Sequence, residues 1–128
     1  MNAHEKHSIK QYLRAADYLT VGQIFLAENH LLKKELTFND IKSRILGHWG
    51  SGPGINFAYA HLSYSAKKHN KDMMFVLGPG HGFPALQANL FLEGTLANFD
   101  PSMETNLDGI RKLCREFSWP YGFPSHSN

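Results

Sequence analysis

Hydrophobic residues recur close to the helical period early in the chain. Ile9, Leu13, Ala16, Val21, Ile24 and Phe25 mark one long helix from about Ser8 to Glu28, with Gly22 weakening its middle and allowing close packing. Thr37 followed by Asp40 reads as a helix start, and Phe38–Arg44 as a short helix. Ile55, Ala58 and Leu62 open another helix that runs out near Lys68-His69-Asn70. Met73-Met74-Phe75-Val76-Leu77 breaks the rhythm: it is short and continuously apolar, as expected of a strand buried on both faces of a parallel sheet. Pro84 suits the first turn of a further helix, and Leu107, Ile110, Leu113, Cys114 and Phe117 mark a last one. The pattern predicts an α/β fold class: a mainly helical chain around one parallel-type strand at about residues 73–77.

That inventory is thin for a parallel sheet, which needs several strands. Phe83–Phe99 carries one charged residue, Glu93, so a helix there would be buried nearly all round. Such a helix belongs inside a larger assembly. The ending, from Trp119-Pro120-Tyr121 to Ser127-Asn128, is aromatic and proline-rich without a closing element. Residues 1–128 are therefore expected to be a single segment, the front of something longer.

Composition narrows the classes. The chain has 128 residues, 42% hydrophobic and 19% charged, which describes an ordinary globular protein. A formal charge of +2 gives no reason to expect nucleic acid. One cysteine, Cys114, excludes an intramolecular disulfide, suits a reducing compartment, and reads as a packed small hydrophobe. No signal pattern opens the chain and no stretch reaches membrane-spanning length, so the cytoplasm is expected, with no membrane partner.

Chemistry concentrates in two glycine-flanked histidine loops. They are Gly47-His48-Trp49-Gly50-Ser51-Gly52-Pro53-Gly54 and Gly78-Pro79-Gly80-His81-Gly82. The second follows directly on the expected strand, and ligands of open α/β sheets bind just beyond the carboxyl ends of strands. Glycines there let a ligand approach the backbone. The site histidines lack zinc-ligand spacing, and no metal site is expected on this chain. Trp49 reads as a pocket wall and Trp119 as core or interface. His30, His61 and His69 read as helix-end or surface residues, and the Tyr18, Tyr59 and Tyr64 hydroxyls carry no positional sign of catalysis.

Four blocks then carry a family resemblance. Tyr18-Leu19-Thr20-Val21-Gly22-Gln23-Ile24-Phe25-Leu26, Gly47-His48-Trp49-Gly50 with Pro53-Gly54-Ile55-Asn56-Phe57, Gly78–Gly82 with Pro84-Ala85, and Phe117-Ser118-Trp119-Pro120 with Pro124-Ser125-His126 stand in this order. In order and spacing the chain resembles the amino-terminal part of the xylulose 5-phosphate/fructose 6-phosphate phosphoketolases, thiamine-diphosphate enzymes related to transketolase. Phe83 stands where a small residue is usual, and Ser51-Gly52 replaces a more hydroxylic pair.

The resemblance implies an incomplete piece of a thiamine-diphosphate-binding fold. It implies a reaction in which a ketose phosphate is cleaved and acetyl is transferred to inorganic phosphate. His48 and His81 match catalytic histidines, His48 and His126 match substrate-facing ones, and His81, Gly80 and Gly82 match the cofactor side. Imidazoles titrating near neutrality suit proton transfer there. The family's Mg2+ and diphosphate are held by a later segment that nothing here matches, and its activating glutamate lies in another domain. The isolated chain is expected to be inactive, with the remainder of a phosphoketolase or a second copy of itself as partner. The alternative is a truncated, stand-alone binding module without catalysis.

Overall fold

The computed structural model describes residues 1–127. Helix α1, Ala3–Phe25, begins earlier than the hydrophobic pattern indicates because a capping box holds its first turn. The Asn2 side chain accepts from the Glu5 N–H at 2.8 Å, and Glu5 Oε2 accepts from the Asn2 N–H at 2.5 Å. Only the second half of α1 is deeply buried, through Ala16, Leu19, Thr20, Gly22, Gln23 and Ile24. That half is the mast of the molecule: α2 (Gly52–His69), α3 (Phe83–Leu92) and α4 (Leu107–Glu116) all pack on it.

Each helix has a local reason to start and stop. Helix α2 opens with Pro53 in its first turn and ends on Asn70, whose left-handed φ of 49° breaks the helix. Lys67, Lys68 and His69 occupy its last turn, where the helix dipole favours positive charge. Asn106 caps α4 by accepting from the Asp108 and Gly109 N–H groups. The apolar stretch expected to run from Phe83 to Phe99 divides: α3 stops at Leu92, Gly94 takes a φ of +81°, and a 3-10 turn covers Thr95–Asn98. Phe38–Arg44 likewise yields only a 3-10 turn at Phe38–Asp40.

The expected strand at Met73–Leu77 is not formed, and the α/β class is corrected to a helical one. Among the described residues there is no sheet; only the isolated bridges Leu26–Ile41 and Phe117–Phe123 occur. A strand is defined by hydrogen bonds to a neighbour, and among the described residues no segment pairs with this one. The run is extended with one side inward. Phe75 is half-buried and meets Tyr59 edge-on at 5.5 Å, while Met74 is 87% and Val76 77% exposed. Continuous apolarity marks a segment suited to burial on two sides, and this chain covers one side.

The apolar core groups Leu19, Ala88, Phe91, Met103 and Leu113, with Leu92, Leu96, Ile110 and Phe123 against it. Beside it runs a buried polar chain joining three helices. Tyr12 Oη donates to Asn89 Oδ1 at 2.8 Å, and Asn89 Nδ2 donates to Asn56 Oδ1 at 2.8 Å. Asn56 Nδ2 donates to Asp17 Oδ1 at 2.9 Å and Thr20 Oγ1 at 3.1 Å. Asn89 Nδ2 also reaches the Ala85 carbonyl at 2.7 Å. Satisfied buried networks of this kind fix one packing geometry, because any alternative leaves polar groups without partners. Gly22 permits the close approach of α4: a Cβ there would stand 3.0 Å from Cys114 Sγ.

Two consequences can be measured. Asn56→Ala removes a fully buried amide whose partners then lose hydrogen bonds, so urea unfolding is expected to show a loss of about 2–3 kcal/mol; a loss under ~0.5 kcal/mol would contradict the network's role. Burial also pushes the Cys114 thiol up to about 12. At pH 8 the folded chain should therefore react with maleimide roughly a thousandfold more slowly than the unfolded chain, followed by mass spectrometry. Equal rates would mean that α4 does not stay packed on α1.

Candidate active site

The two histidine loops enter α2 and α3, and the packing of those helices on α1 brings the loops together. His48 has an extended backbone immediately before the 3-10 turn Trp49–Ser51, which leads into α2. His81 is the middle residue of the turn Gly80–Gly82, which leads into α3. Their rings lie 4.5 Å apart, centroid to centroid, tilted at 45°. His48 is exposed and His81 half-buried, so the pair is open to solvent on one side.

Gly47 sets the approach of His48. Its φ of +113° belongs to glycine, and a Cβ there would stand 2.9 Å from Ile24 Cγ1 and 3.4 Å from the Phe117 ring. The loop is thus pressed onto the end of α1 and onto Phe117. Trp49, next to His48 in the chain, is 38% exposed.

His126 reaches the same place from the carboxyl-terminal segment. The Ser127 N–H donates to the Gly80 carbonyl at 3.1 Å. A Cβ on Gly80 would stand 2.9 Å from Ser127 O and 3.6 Å from His126 Cβ, so His126 lies directly against the His81 turn. Ser125 Oγ sits 2.9 Å from His126 Nδ1 and orients that ring. The structure therefore gathers His48, His81 and His126 at one end of the helix pair.

The glycines divide into two kinds. At Gly82 a Cβ would meet Ile55 Cδ1 at 2.7 Å and both Leu77 methyls at 3.1 Å. Gly80 and Gly82 are thus required by the chain's own packing, and the Gly82 N–H is already spent on the Pro79 carbonyl at 3.0 Å. Gly50, Gly54 and Gly78 instead have open space where a side chain would stand.

The electrostatics favour negative charge at this end. Neither α2 nor α3 has a side-chain cap at its start, and neither has an acidic residue in its first turn. The positive ends of two helix dipoles therefore accompany the histidine pair, a combination that favours phosphate groups. Among the described residues no cluster of three or more His, Cys, Asp or Glu could hold a metal ion. The histidines and helix starts fit the reacting and anionic parts of a phosphorylated ligand. A cation-bridged diphosphate would need ligands from elsewhere.

One residue behind this site carries no local signal in the sequence. Lys42 is only 8% exposed, and its Nζ donates to the carbonyls of Gln23 at 2.7 Å, Cys114 at 2.8 Å and Phe117 at 2.7 Å. Burial pushes its ammonium down to about 8. A lone lysine among polar neighbours reads as surface, and nothing in its spacing announces a buried cation. His30, read as a helix-end residue, lies beyond the end of α1 and is almost fully buried, and Tyr18 Oη donates to its carbonyl at 2.8 Å. Trp119 is 58% exposed and so is not core. Among the described residues no helix is long and apolar enough to cross a membrane.

Known proteins carry the same segment. A probable phosphoketolase of Pseudomonas putida is 51% identical over 122 residues, covering 95% of this chain and 15% of that protein. A probable phosphoketolase of Nitrosospira multiformis is 50% identical over 126 residues, covering 98% of this chain and 16% of that protein. Probable phosphoketolase 2 of a Nostoc species is 48% identical over 122 residues. The chain thus spans about 15% of the length of the curated relatives it matches. The family described as the XFP N-terminal domain matches residues 1–128, and the chain belongs to that family.

Proposed function

We propose that this segment forms the acid–base wall of a phosphoketolase reaction centre. The whole enzyme would cleave xylulose 5-phosphate or fructose 6-phosphate with inorganic phosphate, giving acetyl phosphate and an aldose phosphate by way of thiamine diphosphate. The observation that carries the reading is the 4.5 Å contact of the His48 and His81 rings at the paired starts of two uncapped helices. The names of the relatives support the same chemistry.

Thiamine diphosphate, when bound, supplies the carbanion stabilisation that carbon–carbon cleavage requires. The residues of this chain supply proton transfer and orientation around it. His81, held by the tightly packed Gly80 and Gly82, faces the cofactor side. His48 and His126 face the sugar phosphate, where an imidazole N–H donates to a carbonyl oxygen as charge gathers on it. The unprotonated imidazole accepts a hydroxyl proton in the reverse sense. The helix starts orient the phosphate groups. Mg2+ and the diphosphate fall to other parts of the enzyme, because these residues offer no cation cluster.

The rest of the enzyme, or a second copy of the chain, would cover the exposed apolar side chains, Phe38, Met74, Val76 and Phe99 among them. Cytoplasmic residence accords with the lone reduced thiol.

Purified alone with thiamine diphosphate, Mg2+, phosphate and xylulose 5-phosphate, the 128-residue chain is expected to form no acetyl phosphate. Sustained production would show that the segment needs no further residues. In the full-length protein that carries this segment, His81→Ala is expected to lower kcat by about 10²–10⁴-fold. Its melting temperature should stay within about 2 °C, because a half-buried turn histidine contributes little to the core. Unchanged turnover in that variant would remove His81 from the chemistry.

A further inference from the structure

Lys42 stands behind the histidine cluster, and its ammonium binds carbonyls at the ends of α1 and α4. Gln23 lies in the last turn of α1, Cys114 in the last turn of α4, and Phe117 caps α4. Helices leave their final carbonyls without internal partners. One ammonium has three N–H groups, and here all of them are used on such carbonyls. The positive charge also suits the negative ends of two helix dipoles. The side chain is therefore a buried three-way tie, reinforced by the Phe117 ring 5.4 Å from Nζ.

Two of the tied points, Gln23 and Phe117, lie beside the segments that carry site histidines. The Lys42 N–H donates to the Phe25 carbonyl at 2.9 Å, which fixes the start of the loop that reaches Gly47 and His48 five residues on. Gly47 itself rests on Ile24, next to the tied Gln23, and on the ring of the tied Phe117. From Phe117 the chain turns back on itself: the Ser118 N–H donates to the Phe123 carbonyl at 2.8 Å, and Phe117 and Phe123 form a bridge. Three residues past Phe123 comes His126, seated on Gly80.

We infer that Lys42 is a positioning residue: its ammonium sets the junction of α1, α4 and the carboxyl-terminal segment, and so places His48 and His126 against His81. The placement is a property of the chain. Its catalytic meaning rests on the proposed phosphoketolase function.

Two substitutions test it. Lys42→Met keeps an unbranched side chain, one atom shorter, and removes every side-chain donor. Lys42→Arg keeps the charge but replaces a tetrahedral set of N–H groups with a planar fork. Ring carbon–proton correlation spectra of the 128-residue chain read all eight histidines separately. In Lys42→Arg, and more strongly in Lys42→Met, the His48 and His126 resonances are expected to move. Those of His4, His7, His61 and His69, which lie away from the tie, should stay. Spectra of Lys42→Arg in which His48 and His126 do not move would overturn the inference, whatever becomes of the methionine variant. Movement of all the histidines alike would overturn it too, since that reports general loosening.

In the full-length protein, misplaced loops should cost turnover about tenfold or more with KM changed far less, and Lys42→Arg should recover part of the loss. Equal turnover in the wild type and both variants would contradict the positioning role. If the unaltered full-length protein forms no acetyl phosphate while the His48 and His126 resonances still respond to Lys42, the tie stands and the proposed function fails.

Discussion

The pairing of His48 with His81 depends on the hydrogen bond between Asn56 and Asn89, which fixes the register of α2 against α3. His48 and His81 each stand eight residues ahead of the asparagine on their own helix, so the two amides hold the two rings at matching heights. A slip of one helical turn would move one ring about 5.4 Å past the other and separate the pair. Apolar contacts between helices tolerate such slips, because one buried methyl replaces another at small cost. A chain of amides and hydroxyls does not, since each displaced group loses its partner in a medium without water. The extension of that chain through Thr20 and Asp17 to α1 ties the helix pair to the mast.

The other histidine-bearing segment is fixed differently. The place of His126 comes from backbone contact with Gly80 and from the bridge at Phe117 and Phe123. Glycine at position 80 is what lets the two backbones meet. The glycine-rich character of the second loop therefore reflects assembly of the site from distant parts of the chain. The more open glycines lie on the approach to α2 and before the second turn, at Gly50, Gly54 and Gly78.

The helices α1, α2 and α4 were legible because their apolar residues recur at the helical period, and the start of α3 because Pro84 sits in its first turn. The histidine loops were legible because glycine on both sides of a histidine is a local signal. The capping box at Asn2 and Glu5 was also local, but it lies ahead of the apolar pattern, and the first turn was missed with it. Met73–Leu77 was misread for a different reason. Apolar composition reports a preference for burial, whereas a strand requires a hydrogen-bonding neighbour, and no local pattern supplies one. Lys42, Asn56 and Asn89 were invisible for a third reason. Their partners lie 19 to 75 residues away for Lys42 and 33 for the asparagine pair, so their roles exist only once the chain has folded.

The central claim is that helix register, set by buried amides, makes one cluster of the two histidine loops. The most direct measurement is a nuclear Overhauser spectrum of the 128-residue chain with assigned imidazole and side-chain amide protons. Rings whose centroids lie 4.5 Å apart should give strong His48–His81 cross-peaks, together with cross-peaks between the Asn56 and Asn89 amide groups. Asn56–Asn89 cross-peaks without any between the two imidazoles would contradict the account, because the register would then be intact and the cluster absent.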